Sequence, residues 1–231
     1  MSQLTAIVTG AGGAIASSAI DAFEAAGWRL ALIAYSDAER QRLERDRPRH
    51  LTVRANLADD AQARAAIAQA IERLGAVDAL LNIAGGFAMG AAAETAPAAL
   101  EAQLDINLRT AFNATRAVLP HMQQRGRGFV LGVGAAAAID GGARVGAYAA
   151  SKAALVTWLK SVRAEVAPHG VEVAIIYPMA AVDTPGNRAA MPDADPQRWI
   201  DPAELAATML HLATRSRRGR IDEARVYPPA V

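Results

Sequence analysis

The sequence predicts an α/β fold: one doubly wound parallel sheet with helices on both faces. Three observations point there. Short, almost wholly apolar runs alternate with longer helical stretches, the pattern of repeated βαβ units. A glycine-rich turn joins the first strand to the first helix. The length of 231 residues fits one α/β domain.

The elements follow in order. Residues 4–8 (LTAIV) form the first strand, and the alanine-rich helix 14–26 is stopped by Gly27. RLALIA at 29–34 is the second strand, with a helix from Ser36 to Glu44. His50 to Arg54 form the third strand, 59–74 a helix, and 77–83 the fourth strand. A long helix is expected over 97–124, a fifth strand at 128–133, a helix at 146–167 and a sixth strand at 171–177. Pro178, Pro185, Pro192 and Pro196 exclude regular structure throughout 178–201, which reads as a substrate loop with one short helix. A helix at 202–214 and a strand near 221–227 complete the pattern. The alanine run 135–138 reads as a tightly packed loop, and Arg215, Arg217, Arg218 and Arg220 as a solvated turn. No repeat or linker divides the chain, so residues 1–231 are expected to be a single domain.

Composition narrows the function. The 231 residues carry a net charge of +1, from 24 basic and 23 acidic side chains, which offers no basic face for nucleic acid or an anionic membrane. There is no cysteine, hence no disulfide, thiolate metal site or cysteine nucleophile. His50, His121, His169 and His211 are scattered at no ligand-like spacing; they read as surface or loop residues, and no metal is expected. The chain opens directly into LTAIVTG without the features of a signal peptide, and no apolar run has the length of a membrane span. A soluble, cytoplasmic protein is expected.

Two motifs carry chemistry. TGAGGAIA, from Thr9 through Gly10, Gly12, Gly13, Ala14 and Ile15 to Ala16, follows a strand and opens a helix. Small residues there let the backbone approach a pyrophosphate, and the helix N-terminus favours the anion. In GAYAASKAAL, Tyr148 and Lys152 stand four residues apart, on one face of a helix. A nearby ammonium favours the phenolate and is expected to lower the tyrosine pKa, fitting it for proton transfer near neutral pH.

With Asn82-Ile83-Ala84-Gly85 at the end of the fourth strand and Asn107 in the long helix, these ordered motifs resemble the short-chain dehydrogenase/reductase family over almost the whole chain. The resemblance implies a Rossmann-type fold, a nicotinamide dinucleotide cofactor, a small-molecule substrate and a homodimer or homotetramer. It implies that Tyr148 donates the proton in reduction, that Lys152 lowers its pKa and binds the nicotinamide ribose, and that Asn107 holds a proton-relay water. Asn82, Ala84 and Gly85 match the segment beside the adenine ribose. Pro178 and Thr184 match cofactor contacts after the sixth strand, with Thr184 against the nicotinamide amide.

Some positions depart from the family pattern. Ala14 and Ala16 replace the last two turn glycines, so both backbones must take helical angles, leaving Gly12 and Gly13 to supply flexibility. Ala135 stands where the family usually has a serine, and no neighbour from Gly134 to Ala138 offers a hydroxyl. Losing one preorganised donor of this kind costs about 3 kcal/mol of transition-state stabilisation. Dihydropteridine reductase and its bacterial relatives also lack that serine and reduce a quinonoid ring. The chain resembles that branch at 77–90, at 135–154, and at VDTPGNRAAMPDADPQRW over 182–199. The alternative is a nucleotide-binding or scaffolding protein that has lost catalysis, for which Ala14, Ala16 and Ala135 are the motive.

For the cofactor, an acidic residue ending the second strand would select NAD. That position is Ala34, followed by Tyr35 and Ser36, which tilts the expectation towards NADP. Arg40 and Arg42 could reach a 2′-phosphate, though a solvated helix face explains them as well, and Ser36-x-x-Glu39 also fits a helix capping box. Asn56-Leu57 takes the place of the aspartate-aliphatic pair beside the adenine.

Overall fold

The computed structural model describes residues 3–216 and 218–230. Seven strands form one sheet: β1 (Thr5–Thr9), β2 (Arg29–Ala34), β3 (Leu51–Arg54), β4 (Ala79–Asn82), β5 (Gly128–Val133), β6 (Val171–Pro178) and β7 (Glu223–Val226). Their order is β3-β2-β1-β4-β5-β6-β7, and every adjacent pair is parallel. From β1 the chain moves outward to β2 and β3, then returns across β1 to β4. The order therefore reverses between β1 and β4, and ligands of open α/β sheets bind at the carboxyl ends of such strands.

Nine α-helices accompany these strands among the described residues: α1 (Ala14–Ala25), α2 (Asp37–Asp46), α3 (Asp60–Leu74), α4 (Pro97–Leu104), α5 (Thr110–Gln124), α6 (Ala137–Asp140), α7 (Gly146–Val166), α8 (Pro185–Ala190) and α9 (Pro202–Thr214). Because both faces of the sheet are covered, the buried residues fall into two clusters. On one face Ile67 of α3, Val118 of α5 and Leu159 of α7 pack against Ile7, Leu80 and Val130 of the strands. On the other, Phe23 of α1 and Met209 of α9 pack against Val8, Leu32 and Leu131. Alternate residues of one strand thus serve opposite cores, which explains the unbroken apolar runs.

Four expectations change. The long helix over 97–124 is not uniform: a π-helical turn, Asp105–Arg109, separates α4 from α5. There the Thr110 N–H donates to the Asp105 carbonyl five residues back, so one extra residue is accommodated and the helix face is re-aimed. The alanine run is not only loop, because Ala137 and Ala138 open α6, a single helical turn. His50 and His121 are internal acceptors: His50 Nδ1 takes the Leu30 N–H at 3.3 Å and His121 Nε2 the Val77 N–H at 3.2 Å. Each satisfies a backbone donor at or just before the start of a strand. Arg215 is not solvated: its side chain is 7% exposed, pairs with Glu172 at 2.8 Å and donates to the carbonyls of Leu212, Gly219 and Ile221. Arg217 lies outside the described residues.

Candidate active site

A cavity of about 800 Å³ opens at the carboxyl ends of β1, β2, β3 and β4. Gly10, Gly13, Ala14 and Ile15 of the first turn form its floor, joined by Tyr35 after β2, Asn56 and Leu57 after β3, and Ala84 and Gly85 after β4. Thr184 and Gly186 close it from the segment after β6. Ten of the positions expected at the cofactor therefore line one space.

The turn is shaped for close approach. Gly10 has φ +63°, and a Cβ there would stand 2.7 Å from the Ala84 backbone, so only glycine fits. The left-handed residue is thus Gly10, not Gly12 or Gly13. Ala14 and Ala16 lie within α1 at ordinary helical angles. Gly13 is its N-cap, no side chain caps the first turn, and no acid occupies it. These amide groups at the positive end of the helix face the cavity and suit a pyrophosphate. Thr9 holds the cradle together without lining it. Its buried hydroxyl donates to the Leu81 carbonyl and accepts from the amides of Ile83 and Ala84. Asn82 is likewise internal, donating to Thr115 Oγ1 at 2.9 Å. Pro178 ends β6, where its carbonyl accepts from Ala136 N.

Tyr148 and Lys152 lie in α7 as expected, and Lys152 is buried. Its ammonium donates to the Val133 carbonyl at 2.8 Å and lies 3.2 Å from where a Gly85 Cβ would stand. Asn107 Oδ1 lies 2.9 Å from the same point, so a side chain at 85 would collide with both. Asn107, within the π-helical turn, clamps Gly86: Oδ1 accepts from its amide at 3.0 Å and Nδ2 donates to its carbonyl at 2.9 Å. Nδ2 also donates to Ser151 Oγ and Gln103 Oε1. Ser151 Oγ in turn donates to the Tyr148 carbonyl. Sequence motifs missed Ser151 and Gln103; the signal was spacing, since Gln103 and Asn107 are four apart on a helix and Ser151 adjoins Lys152.

Electrostatics depart from expectation. Burial pushes the Tyr148 phenol up to about 12, and Lys152 does not lower it. The ammonium is itself lowered to about 8 by burial. Both shifts come from desolvation of the charged form. The Tyr148 ring meets Phe87 edge-on, with centroids 4.9 Å apart and planes at 78°, while Phe87 is 58% exposed.

Around the end of β2, Ser36 is the N-cap of α2 and its hydroxyl accepts from Glu39 N at 3.2 Å; it is not among the residues that line the cavity. Glu39 is, and no motif at Ala34 announced it. Gly12 lies against that carboxylate, where a Cβ would come 2.6 Å from Glu39 Cδ. Arg40 is engaged by Glu44 and Asp37, and Arg42 donates to the Gly12 carbonyl.

Comparison with known proteins settles the class. Residues 4–195 match the family model described as short chain dehydrogenase. The chain belongs to the short-chain dehydrogenase family, oxidoreductases built on an NAD(P)-binding Rossmann fold. It is 32% identical over 191 residues to 2-(R)-hydroxypropyl-CoM dehydrogenase of Xanthobacter autotrophicus, covering 78% of this chain and 75% of that protein. The fold matches 3-ketoacyl-(acyl-carrier-protein) reductase from Brucella melitensis complexed with NADH, with TM-score 0.85, 23% identity and 96% of both chains covered. It also matches a metagenomic short-chain oxidoreductase in complex with NADP, with TM-score 0.84, 24% identity, and 99% and 98% of the two chains covered.

Proposed function

We propose that the protein is an NAD(P)-dependent reductase in which Tyr148 donates the proton to a flat, conjugated small molecule. Residues 1–231 act as one catalytic domain, and 178–201 as its substrate loop. The single observation that carries this reading is that Lys152 and Asn107 converge on Gly85 in the wall of the cavity, with Tyr148 one helical turn before Lys152.

The residues fit a nicotinamide dinucleotide. Gly10 leaves backbone where a Cβ would fill the space, the amides of Ala14 and Ile15 at the start of α1 suit its phosphates, and Asn56 and Leu57 form the adenine end. Thr184 stands across the cavity for the nicotinamide amide. When bound, the reduced nicotinamide supplies a hydride, two electrons and one hydrogen nucleus. The chain supplies the rest. At neutral pH the Tyr148 phenol is protonated, the form needed to give up a proton to the substrate. Lys152 places positive charge beside Gly85 to bind ribose hydroxyls and to stabilise the phenolate left after transfer. Asn107 fixes the Gly86 backbone and carries the proton-relay role through its place beside Lys152.

Ala135 presents no hydroxyl to a carbonyl oxygen. A substrate whose negative charge delocalises through a conjugated C=N system needs that donor least, and the exposed Phe87 ring beside Tyr148 offers it an apolar edge. Quinonoid dihydropterin is the compound of choice. Mixing the protein with it and NADH or NADPH should deplete the nicotinamide absorbance, and Tyr148→Phe should abolish most of that turnover. Unchanged turnover in Tyr148→Phe refutes the assigned role.

A second reading, nucleotide binding without catalysis, is favoured by one observation: Lys152 is held by the Val133 carbonyl while burial raises Tyr148. Tight dinucleotide binding with no turnover on a panel of conjugated imines and carbonyls supports it. The exposed Phe112 ring on α5, tilted at 46° against the half-buried Trp158 of α7 with centroids 5.0 Å apart, supports a homodimer or homotetramer through these helices. No helix among the described residues is long and apolar enough to cross a membrane.

A further inference from the structure

We infer that Glu39 selects NAD over NADP, taking the place of the acid that β2 lacks at Ala34; this rests on the dinucleotide-binding reading above. Glu39 is in the first turn of α2, and its carboxylate reaches back over the end of β2, where Oε2 accepts from Tyr35 N at 2.9 Å. That bond fixes the group at the edge of the cavity between the glycine-rich turn and Asn56. Gly12 accommodates it: a Cβ at 12 would stand 2.6 Å from Glu39 Cδ and 2.9 Å from Oε1. Oε1 has no hydrogen-bond partner, and no cation pairs with Glu39, among the described residues.

This is the side of the cavity where the adenosine ribose must sit. It lies between the amides that suit the pyrophosphate and the Asn56-Leu57 segment that suits the adenine. A ribose 2′-hydroxyl can donate to Oε1. A 2′-phosphate, carrying nearly two negative charges at neutral pH, would instead face the carboxylate. Nothing compensates, because the described residues lining the cavity include no lysine or arginine. Of the two arginines within sequence reach, Arg40 is paired with Glu44 at 2.8 Å, while Arg42 donates to the Gly12 carbonyl at 2.8 Å from outside the residues that line the cavity. On this inference NAD is preferred, against the tilt towards NADP that Ala34 suggests.

The test is a calorimetric titration of the protein and of Glu39→Gln with NADH and with NADPH, without substrate. Glutamine keeps an acceptor for Tyr35 N and removes only the charge, and an unchanged melting temperature confirms that α2 is intact. The protein should bind NADH at least about tenfold more tightly than NADPH, and Glu39→Gln should narrow that ratio by about tenfold, the weight of one hydrogen bond to a charged acceptor. Equal or tighter binding of NADPH by the unaltered protein, or a ratio untouched by Glu39→Gln, overturns the assignment and leaves the dinucleotide reading standing. Failure of both nucleotides to bind the unaltered protein overturns both.

Discussion

Replacing Asn107 by alanine tests whether the polar cluster behind the cavity is held by one side chain. Asn107 is 0% exposed, and its amide is the protein partner found for both the N–H and the C=O of Gly86. Nδ2 has two hydrogens, shared among Gly86 O, Ser151 Oγ and Gln103 Oε1. Truncation leaves the two Gly86 groups unpaired and removes a donor from Ser151 and Gln103. A buried polar group stripped of its partner costs about 1–3 kcal/mol. Gly86 is only half-buried, so its groups regain some hydration and belong at the low end, while Ser151 keeps its bond to the Tyr148 carbonyl. The net loss should be roughly 2–4 kcal/mol. For a chain of this size that corresponds to a fall in Tm of about 4–16 °C.

Urea unfolding followed by circular dichroism, with a thermal scan beside it, reads the effect directly. The midpoint should fall with the slope m unchanged, since the amount of surface exposed on unfolding is the same. Dinucleotide affinity should fall too, because Gly86 anchors the loop that carries Gly85 into the cavity wall. A loss below about 0.5 kcal/mol, the range of ordinary surface substitutions, would refute the clamp and mean that Gly86 is satisfied by solvent.

Two further outcomes follow from the interior polar groups. His50, with a side chain 3% exposed, and His121 both accept a backbone N–H as neutral rings, and burial is the leading cause that lowers each pKa. The unfolded chain therefore takes up protons first as pH falls; stability is full above the ordinary histidine value near ~6.5 and declines as pH drops through the lowered folded values. Urea midpoints should fall between pH 8 and pH 5, and the double substitution His50→Gln, His121→Gln should flatten that slope; an identical slope in the variant would rule these rings out as its source. Arg215→Ala should cost about 2–4 kcal/mol, less than a fully buried pair because Glu172 is partly exposed. Arg215→Lys should restore little of it, since one ammonium cannot span the carbonyls that the planar fork bonds; full recovery in chemical denaturation would contradict that geometry.

What the chain disclosed about itself followed from how local each cause was. The strands were legible because a doubly covered parallel sheet demands apolar residues on both faces, a rule each strand obeys within its own few residues. Tyr148, Lys152 and Asn107 were legible as residue types at helical spacings. The π-helical turn was not: Asn107 within it bonds Gly86 in a loop remote in sequence, and no local preference announces either. His50 and Arg215 looked like surface residues for the same reason: their partners, Leu30 and Glu172, are remote in sequence.

Glu39 is the instructive case, because its cause was partly local. Ser36 at the N-cap with Glu39 three residues on is the capping-box spacing, and a glutamate at that position reaches back past the helix start. Here the helix follows β2 almost at once, so reaching back means reaching the end of β2. The acid absent at Ala34 was thus within reach from five residues downstream. Its carboxylate accepts from Tyr35 N, one residue before the cap, so the box is displaced by one position towards the strand. That displacement sets the carboxylate over Gly12 and the cavity rather than over its own helix, and the proposed preference for NAD rests on that placement.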